Sequence, residues 1–174
     1  MTAGPVVLRR AKRADAAAIA RVHVETWRAA YAGLVPDAYL VGMTEAGQTS
    51  SWRRTLSRGG GANLVAETVE GRVVGFGSCG RSRLGGLFFQ GGVYTLYVAI
   101  DWQGQGLGRR LLGGLFSQLR DANVSDAYLW VLAGNSARFF YETMGGTRIA
   151  ERQESFAGTL LDEIAYGWSD LSQW

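Results

Sequence analysis

The chain has 174 residues, of which 47% are hydrophobic and 19% charged, values that fit one folded globular domain and exclude a disordered chain. Eighteen Lys and Arg against fifteen Asp and Glu leave a formal charge of only +3. No basic run stands out, which excludes the basic stripe of a nucleic-acid binder and suits a small anionic ligand better.

Cys79 is the only cysteine and His23 the only histidine. An internal disulfide is therefore impossible and a Cys/His metal centre cannot be assembled. No apolar stretch reaches signal-peptide or membrane-span length, so the expected setting is the cytoplasm, without a membrane partner.

Val6 to Arg9 reads as a short opening strand. Asp15 is placed as the N-cap of a helix whose inner face carries Ile19, His23, Trp27 and Ala30 at spacings of three and four. Gly33 to Pro36 breaks that helix, and a second runs from about Thr44 to Arg58 before the glycines at 59 to 61. Asn63–Val69 and Arg72–Gly80 form a hairpin around Glu70-Gly71. The stretch 81–92 holds four glycines and reads as mostly loop. Val93 to Ile100 is a nearly continuous apolar and β-branched run, as for a strand covered on both faces. A helix follows from Gly106 to Ala122 with the stripe Leu107, Leu111, Leu112, Leu115, Phe116 and Leu119. Ala127–Leu132 is a buried strand, and Ser136–Met144 a short helix stopped by Gly145-Gly146. Strands at Thr147–Phe156 and Thr159–Trp168 meet at Ala157-Gly158. With no repeat or linker, the pattern predicts a single α/β domain over 1–174: a central, mixed, mostly antiparallel sheet of about seven strands with helices on both faces.

The chemistry concentrates after residue 102. Strand, glycine-rich turn Gln103-Gly104-Gln105-Gly106-Leu107-Gly108, then helix is an arrangement that binds phosphate. The first amides of a helix lack intrahelical partners, the helix dipole adds positive potential, and glycines admit an anion without Cβ obstruction. Arg109 and Arg110 follow directly. A P-loop is excluded because Lys12 is the only lysine of the chain. The dinucleotide fingerprint fails because Arg109 takes the place of its third glycine.

The run Leu96-Tyr97-Val98-Ala99-Ile100-Asp101-Trp102-Gln103-Gly104-Gln105-Gly106-Leu107-Gly108 resembles the acetyl-CoA signature of the GNAT acetyltransferase superfamily, Gln/Arg-x-x-Gly-x-Gly/Ala, with Gln103, Gly106 and Gly108 at its defining positions. The block Asn135 to Glu142 followed by Gly145 resembles the superfamily's next helix, and Val22 to Tyr31 its opening helix. The resemblance implies acetyl-CoA as cofactor and an amine as acceptor. It implies that backbone groups of Leu96 and Val98, beside Tyr97, pair with the pantetheine arm, and that the amides of Gln103, Gly104, Gln105, Gly106, Leu107, Gly108 and Arg109 hold the pyrophosphate. Asn135, Arg138 and Tyr141 would line the opposite side of a V-shaped slot.

Direct attack by a neutral amine needs a donor for the carbonyl oxygen as it gains charge, and the Val98 N–H is the candidate. A proton must reach the departing thiolate, and Tyr141 is the candidate general acid, its ordinary pKa of about 10 standing above that of a thiol at about 8.5. Many superfamily members carry a glutamate near the start of the strand equivalent to 93–100, where this chain has Gly92. Glu25, Glu67, His23 or a chain of water molecules are the open alternatives for deprotonating the acceptor. Trp27, Tyr31 and Tyr94 are candidate walls of the acceptor pocket. The expected function is acetylation of a primary amine on a small molecule. The alternatives are a non-catalytic acyl-CoA-binding module and a protein or peptide acetyltransferase. A homodimer through the last two strands or the arm ending at Trp174 is a further expectation.

Overall fold

The computed structural model describes residues 5–83 and 87–174. Seven strands form one sheet in the order β1-β2-β3-β4-β5-β7-β6. They are β1 (Val6–Arg10), β2 (Gly61–Thr68), β3 (Val73–Arg81), β4 (Gly91–Val98), β5 (Ala127–Leu132), β6 (Thr147–Phe156) and β7 (Thr159–Trp168). All neighbours are antiparallel except β4 and β5. The helices are α1 (Ala16–Ala30), α2 (Asp37–Gly42), α3 (Glu45–Ser57), α4 (Leu107–Asp121) and α5 (Ala137–Thr143). No helix among the described residues is long and apolar enough to cross a membrane.

The predicted apolar stripe of α4 is fully buried from Leu107 to Leu119. It lies close to the sheet because β3 offers glycines beneath it. A Cβ at Gly75 or Gly77 would stand 3.0 or 2.8 Å from the side chains of Leu111 and Leu115. On the other face, α1 and α3 cover the N-terminal half, with Ile19, Ala20 and Val22 against Val74 and Phe76 in one core. Beyond β5, the helix-covered face is the one carrying Tyr166 and Trp168. Tyr166 donates to the Glu142 carboxylate on α5 at 2.6 Å, and Trp168 packs on Phe116 of α4 at 5.2 Å.

Several expectations need correction. Asp15 stands at the N-cap of α1, as expected, but its side chain makes no capping bond there. It ends a 3-10 turn at Arg13–Asp15, and its carboxylate accepts from the Lys12 N–H at 2.6 Å and from Arg9 at 2.8 Å. The second Arg9 partner, Glu67 at 2.8 Å, ties β1 to β2. The segment after Pro36 forms α2, which its length of six residues hid from a periodicity argument. Within 81–92, residues 84–86 lie outside the described residues, but Arg81 closes β3 and Gly91-Gly92 open β4. Trp174 is no free arm: its ring packs on Phe116 at 4.9 Å and its carbonyl accepts from Arg120 at 2.7 Å.

Candidate active site

The run Val93 to Ile100 was expected to be a strand covered on both faces; the strand itself ends at Val98. Instead Tyr94 to Val98 are all half-buried, although β4 is the central strand. The cause is that β4 and β5 pair only at Gly91↔Ala127 and Gly92↔Tyr128 and then diverge. Glycine holds them together at that point. A Cβ at Gly91 would lie 2.7 Å from Val124 and 3.1 Å from the Asp126 carbonyl. Beyond it a cavity of about 1040 Å³ opens between the strands, bounded by α1 on one side and by the start of α4 and α5 on the other.

Strand alternation decides which backbone groups this cavity receives. The Ala99 N–H bonds the Val74 carbonyl on β3 at 2.8 Å, so the odd-numbered residues of β4 address β3, and Leu96 and Val98 address the slot. The Val98 carbonyl accepts from the Gln103 side chain at 2.9 Å. That bond ties the glycine loop to the strand and leaves the Val98 N–H directed into the cavity.

The loop delivers α4 amides to the same cavity. Gly104 and Gly106 have φ of +72° and +79°, the left-handed region where a side chain costs about 1–2 kcal/mol. Gly106 caps α4 without a side-chain bond. The first intrahelical bond runs from the Arg110 N–H to the Gly106 carbonyl at 3.1 Å, so the N–H groups of Leu107, Gly108 and Arg109 precede the helical ladder. The space in front of the loop is open, since a Cβ at Gly104 or Gly106 would meet nothing within 4 Å. This unpaired donor set fits a diphosphate.

Of the expected cofactor residues, Leu96, Tyr97, Val98, Gln103, Gly104, Gly106, Gly108, Arg109, Asn135 and Tyr141 line the cavity. Gln105 is turned away, its side chain donating to the Asp101 carbonyl at 3.1 Å, and the Leu107 side chain is in the core. Arg138 stacks on the Phe139 ring at 4.5 Å instead of lining the slot. Arg110 is directed to the Val6 carbonyl at 2.7 Å, which leaves Arg109 as the arginine at the loop.

Three phenols from three elements meet in the slot. The hydroxyls of Tyr31, the residue closing α1, and Tyr97 (β4) are 3.2 Å apart, the Asn135 amide lies beside Tyr31, and Tyr141 of α5 faces the pair. Burial raises all three above the ordinary phenol value, because the apolar surroundings penalise the anion. They stay protonated at neutral pH. Among the described residues, the buried Trp27 Nε1, beside the Tyr97 hydroxyl, makes no well-formed hydrogen bond, and an unpartnered buried donor costs about 1–3 kcal/mol. The Tyr141 ring lines the cavity.

The acceptor candidates Trp27, Tyr31 and Tyr94 all line the cavity. Trp27 and Tyr31 pack edge to face at 4.7 Å. A bulge between Ser78 and Cys79 on the partner strand makes Tyr94 the extra residue of β4. Its ring fills the space of a side chain at Gly92, 2.8 Å from where that Cβ would be, while its hydroxyl donates to the Arg81 carbonyl at 2.6 Å. The flank of Tyr94 thus fills the place at Gly92 where the resemblance sets a glutamate in other members.

The other candidate bases are engaged elsewhere. Trp52 Nε1 donates to His23 Nδ1 at 3.0 Å, and burial depresses the His23 pKa to about 4. This makes His23 a neutral core residue whose one acceptor nitrogen is taken. Glu67 is held by Arg9, and Glu25 does not line the cavity. Sequence reading missed Tyr128, Trp130, Arg152, Glu154 and Glu163, which line the cavity from β5, β6 and β7. Their only signal is alternation along strands whose pairing the sequence does not disclose.

A splayed central strand pair continuous with an uncapped helix N-terminus defines an acyl-CoA transferase type of site. Residues 36–161 match the acetyltransferase (GNAT) domain. The chain is 34% identical over 167 residues to the uncharacterized N-acetyltransferase YuaI of Bacillus subtilis, covering 96% of this chain and 95% of that one. It superposes on YncA of Salmonella typhimurium, solved with acetyl-CoA, with a TM-score of 0.70 at 25% identity over 95% and 94% of the two chains. The PaiA N-acetyltransferase of Thermoplasma acidophilum, solved with coenzyme A, shares the fold, with a TM-score of 0.67 at 17% identity, covering 92% and 98%. The chain belongs to the GNAT family of acetyl-CoA-dependent N-acetyltransferases.

Proposed function

We propose that this single-domain protein acetylates a primary amine of a small molecule, with the acyl donor lying between β4 and β5. The observation that carries this reading is the end of the β4–β5 ladder at Gly92↔Tyr128, beyond which the slot runs to the amides of Leu107 to Arg109. Acetyl-CoA, when bound, supplies the acetyl thioester. The amides from Gly104 to Arg109 hold its diphosphate, and Leu96 and Val98 offer main-chain groups to the pantetheine arm. The Val98 N–H stabilises the carbonyl oxygen as it takes charge. The protonated Tyr141 hydroxyl gives its proton to the departing sulfur and is restored by the proton that the attacking nitrogen loses on becoming an amide. Asn135 stays at the phenol cluster, where it orients Tyr31.

Aromatic walls support a small acceptor over a protein segment, since Trp27, Tyr31 and Tyr97 close the inner end of the cavity. The test is thiol release from acetyl-CoA with a library of amines. Amine-stimulated release that Tyr141→Phe lowers about 100-fold or more is expected. Tight cofactor binding with no amine stimulating release contradicts the reading.

A further inference from the structure

The half of the sheet beyond β5 has one face under α4 and α5, while the other is met at one end by α1 and α2, whose Trp27 and Tyr39 pack on Phe156. On that second face, alternation places Trp130 and Leu132 of β5 beside Glu163 of β7 and Arg152 of β6. The Arg152 guanidinium lies over the Trp130 ring at 4.0 Å, and Arg152 pairs with Glu163 at 2.7 Å and more loosely with Glu154 at 3.7 Å. Trp130, Arg152, Glu154 and Glu163 all line the same cavity as the phenol cluster. Apolar surface from Trp27, Phe156 and Leu161 faces them. Glu163 is the deepest of the three charges, its side chain 18% exposed against 38% for Arg152 and 54% for Glu154. Its charge reaches Tyr31 at the inner end.

We infer that Glu163 and Glu154, over-matching Arg152, make the acceptor end of the cavity select a cationic amine that carries no carboxylate. This rests on the acetyltransferase reading above. Two carboxylates against one guanidinium leave a net charge of −1, so among the described residues the only cation at this end is already neutralised and stacked on Trp130. An ammonium group gains from the surplus carboxylate. An amino acid of the same shape brings a second negative charge into a partly dehydrated site where Arg152 is already engaged. The aromatic walls add the preference of a π face for a cation. Glu163 is a specificity residue here, distinct from the groups that move protons.

The experiment uses three matched pairs that differ by one carboxylate: 2-phenylethylamine and phenylalanine, 3-methylbutylamine and leucine, 1,4-diaminobutane and ornithine. Calorimetric affinity is measured on the CoA-saturated protein, so discrimination is read whether or not turnover occurs, and kcat/KM is measured alongside with acetyl-CoA. In at least one pair the amine should bind about tenfold or more tighter than its amino acid. Glu163→Gln should reduce that ratio about tenfold by raising the amine's KM, with kcat and the acetyl-CoA KM little changed. Amino acids bound as tightly as their amines, no binding by any of the six, or an unchanged ratio in Glu163→Gln would each overturn the inference. Binding without turnover would instead count against the acetyltransfer reading alone.

Discussion

At Gly106 the structure turns a sequence motif into a backbone requirement. Its φ of +79° restricts the position to glycine or to the few residues that tolerate the left-handed region, chiefly Asn and Asp. Those two differ in charge and little else, so they separate strain from electrostatics. Gly106→Asn and Gly106→Asp should lower stability by a similar amount, about 1 kcal/mol, read by chemical denaturation. In calorimetry Gly106→Asp should then bind CoA at least about tenfold more weakly than Gly106→Asn, because its carboxylate stands against the diphosphate. Equal affinities would remove the anion from this loop. The glycine loop was legible in the sequence because its requirement is local. Arg138 was misplaced because the direction of a surface side chain is set by neighbours, here the Phe139 ring.

The decisive element is β4, and its character depends on one point of contact. Gly91 lets β4 approach β5 and the segment from Val124 to Asp126, and everything past Gly92 is free to splay. Gly91→Ala puts a methyl group 2.7 Å from Val124 and 3.1 Å from a carbonyl. It should cost about 1–3 kcal/mol, seen as a lower denaturation midpoint, and weaken CoA binding by disturbing the hinge of the slot. The apolar pattern of 93–98 resembles that of a fully buried strand, since slot walls and core walls are both hydrophobic. Only the pairing partner tells them apart, and the β4–β5 pairing joins Gly91 to Ala127, far apart in sequence. The same reason hid Glu163 and Arg152: cross-strand neighbours on β7 and β6 acquire meaning once Trp130 on β5 is known to face the cavity. Long elements were readable as helices, α4 with its buried stripe above all, whereas α1 leaves Ala30 exposed and buries Ala16, Ala20, Val22, Val24 and Thr26 outside the expected face.

For the whole molecule, the buried ionisable group sets a pH response. His23 has its folded pKa depressed from 6.5 to about 4 by burial. Between those values the unfolded chain takes up a proton that the folded chain refuses, so stability falls as pH drops through the window from about 6.5 to about 4. The contribution is at most about 3 kcal/mol and less after solvent screening. His23→Asn keeps an acceptor near Trp52 Nε1 and does not titrate. It should flatten the acid limb of the stability curve between pH 6.5 and about 4 relative to the unchanged protein, measured by denaturation at each pH. A parallel acid limb in the variant would show that His23 titrates normally in the folded state.

Acetyl transfer at this site depends on main-chain groups of β4 and of the first turn of α4 receiving the acyl donor together. Backbone amide chemical shifts recorded during a CoA titration test this most directly. The largest changes are expected at Leu96, Val98 and Gly104 to Arg109. Saturable binding that leaves those amides unmoved, with the shifts gathered instead on β6 or β1, would contradict it.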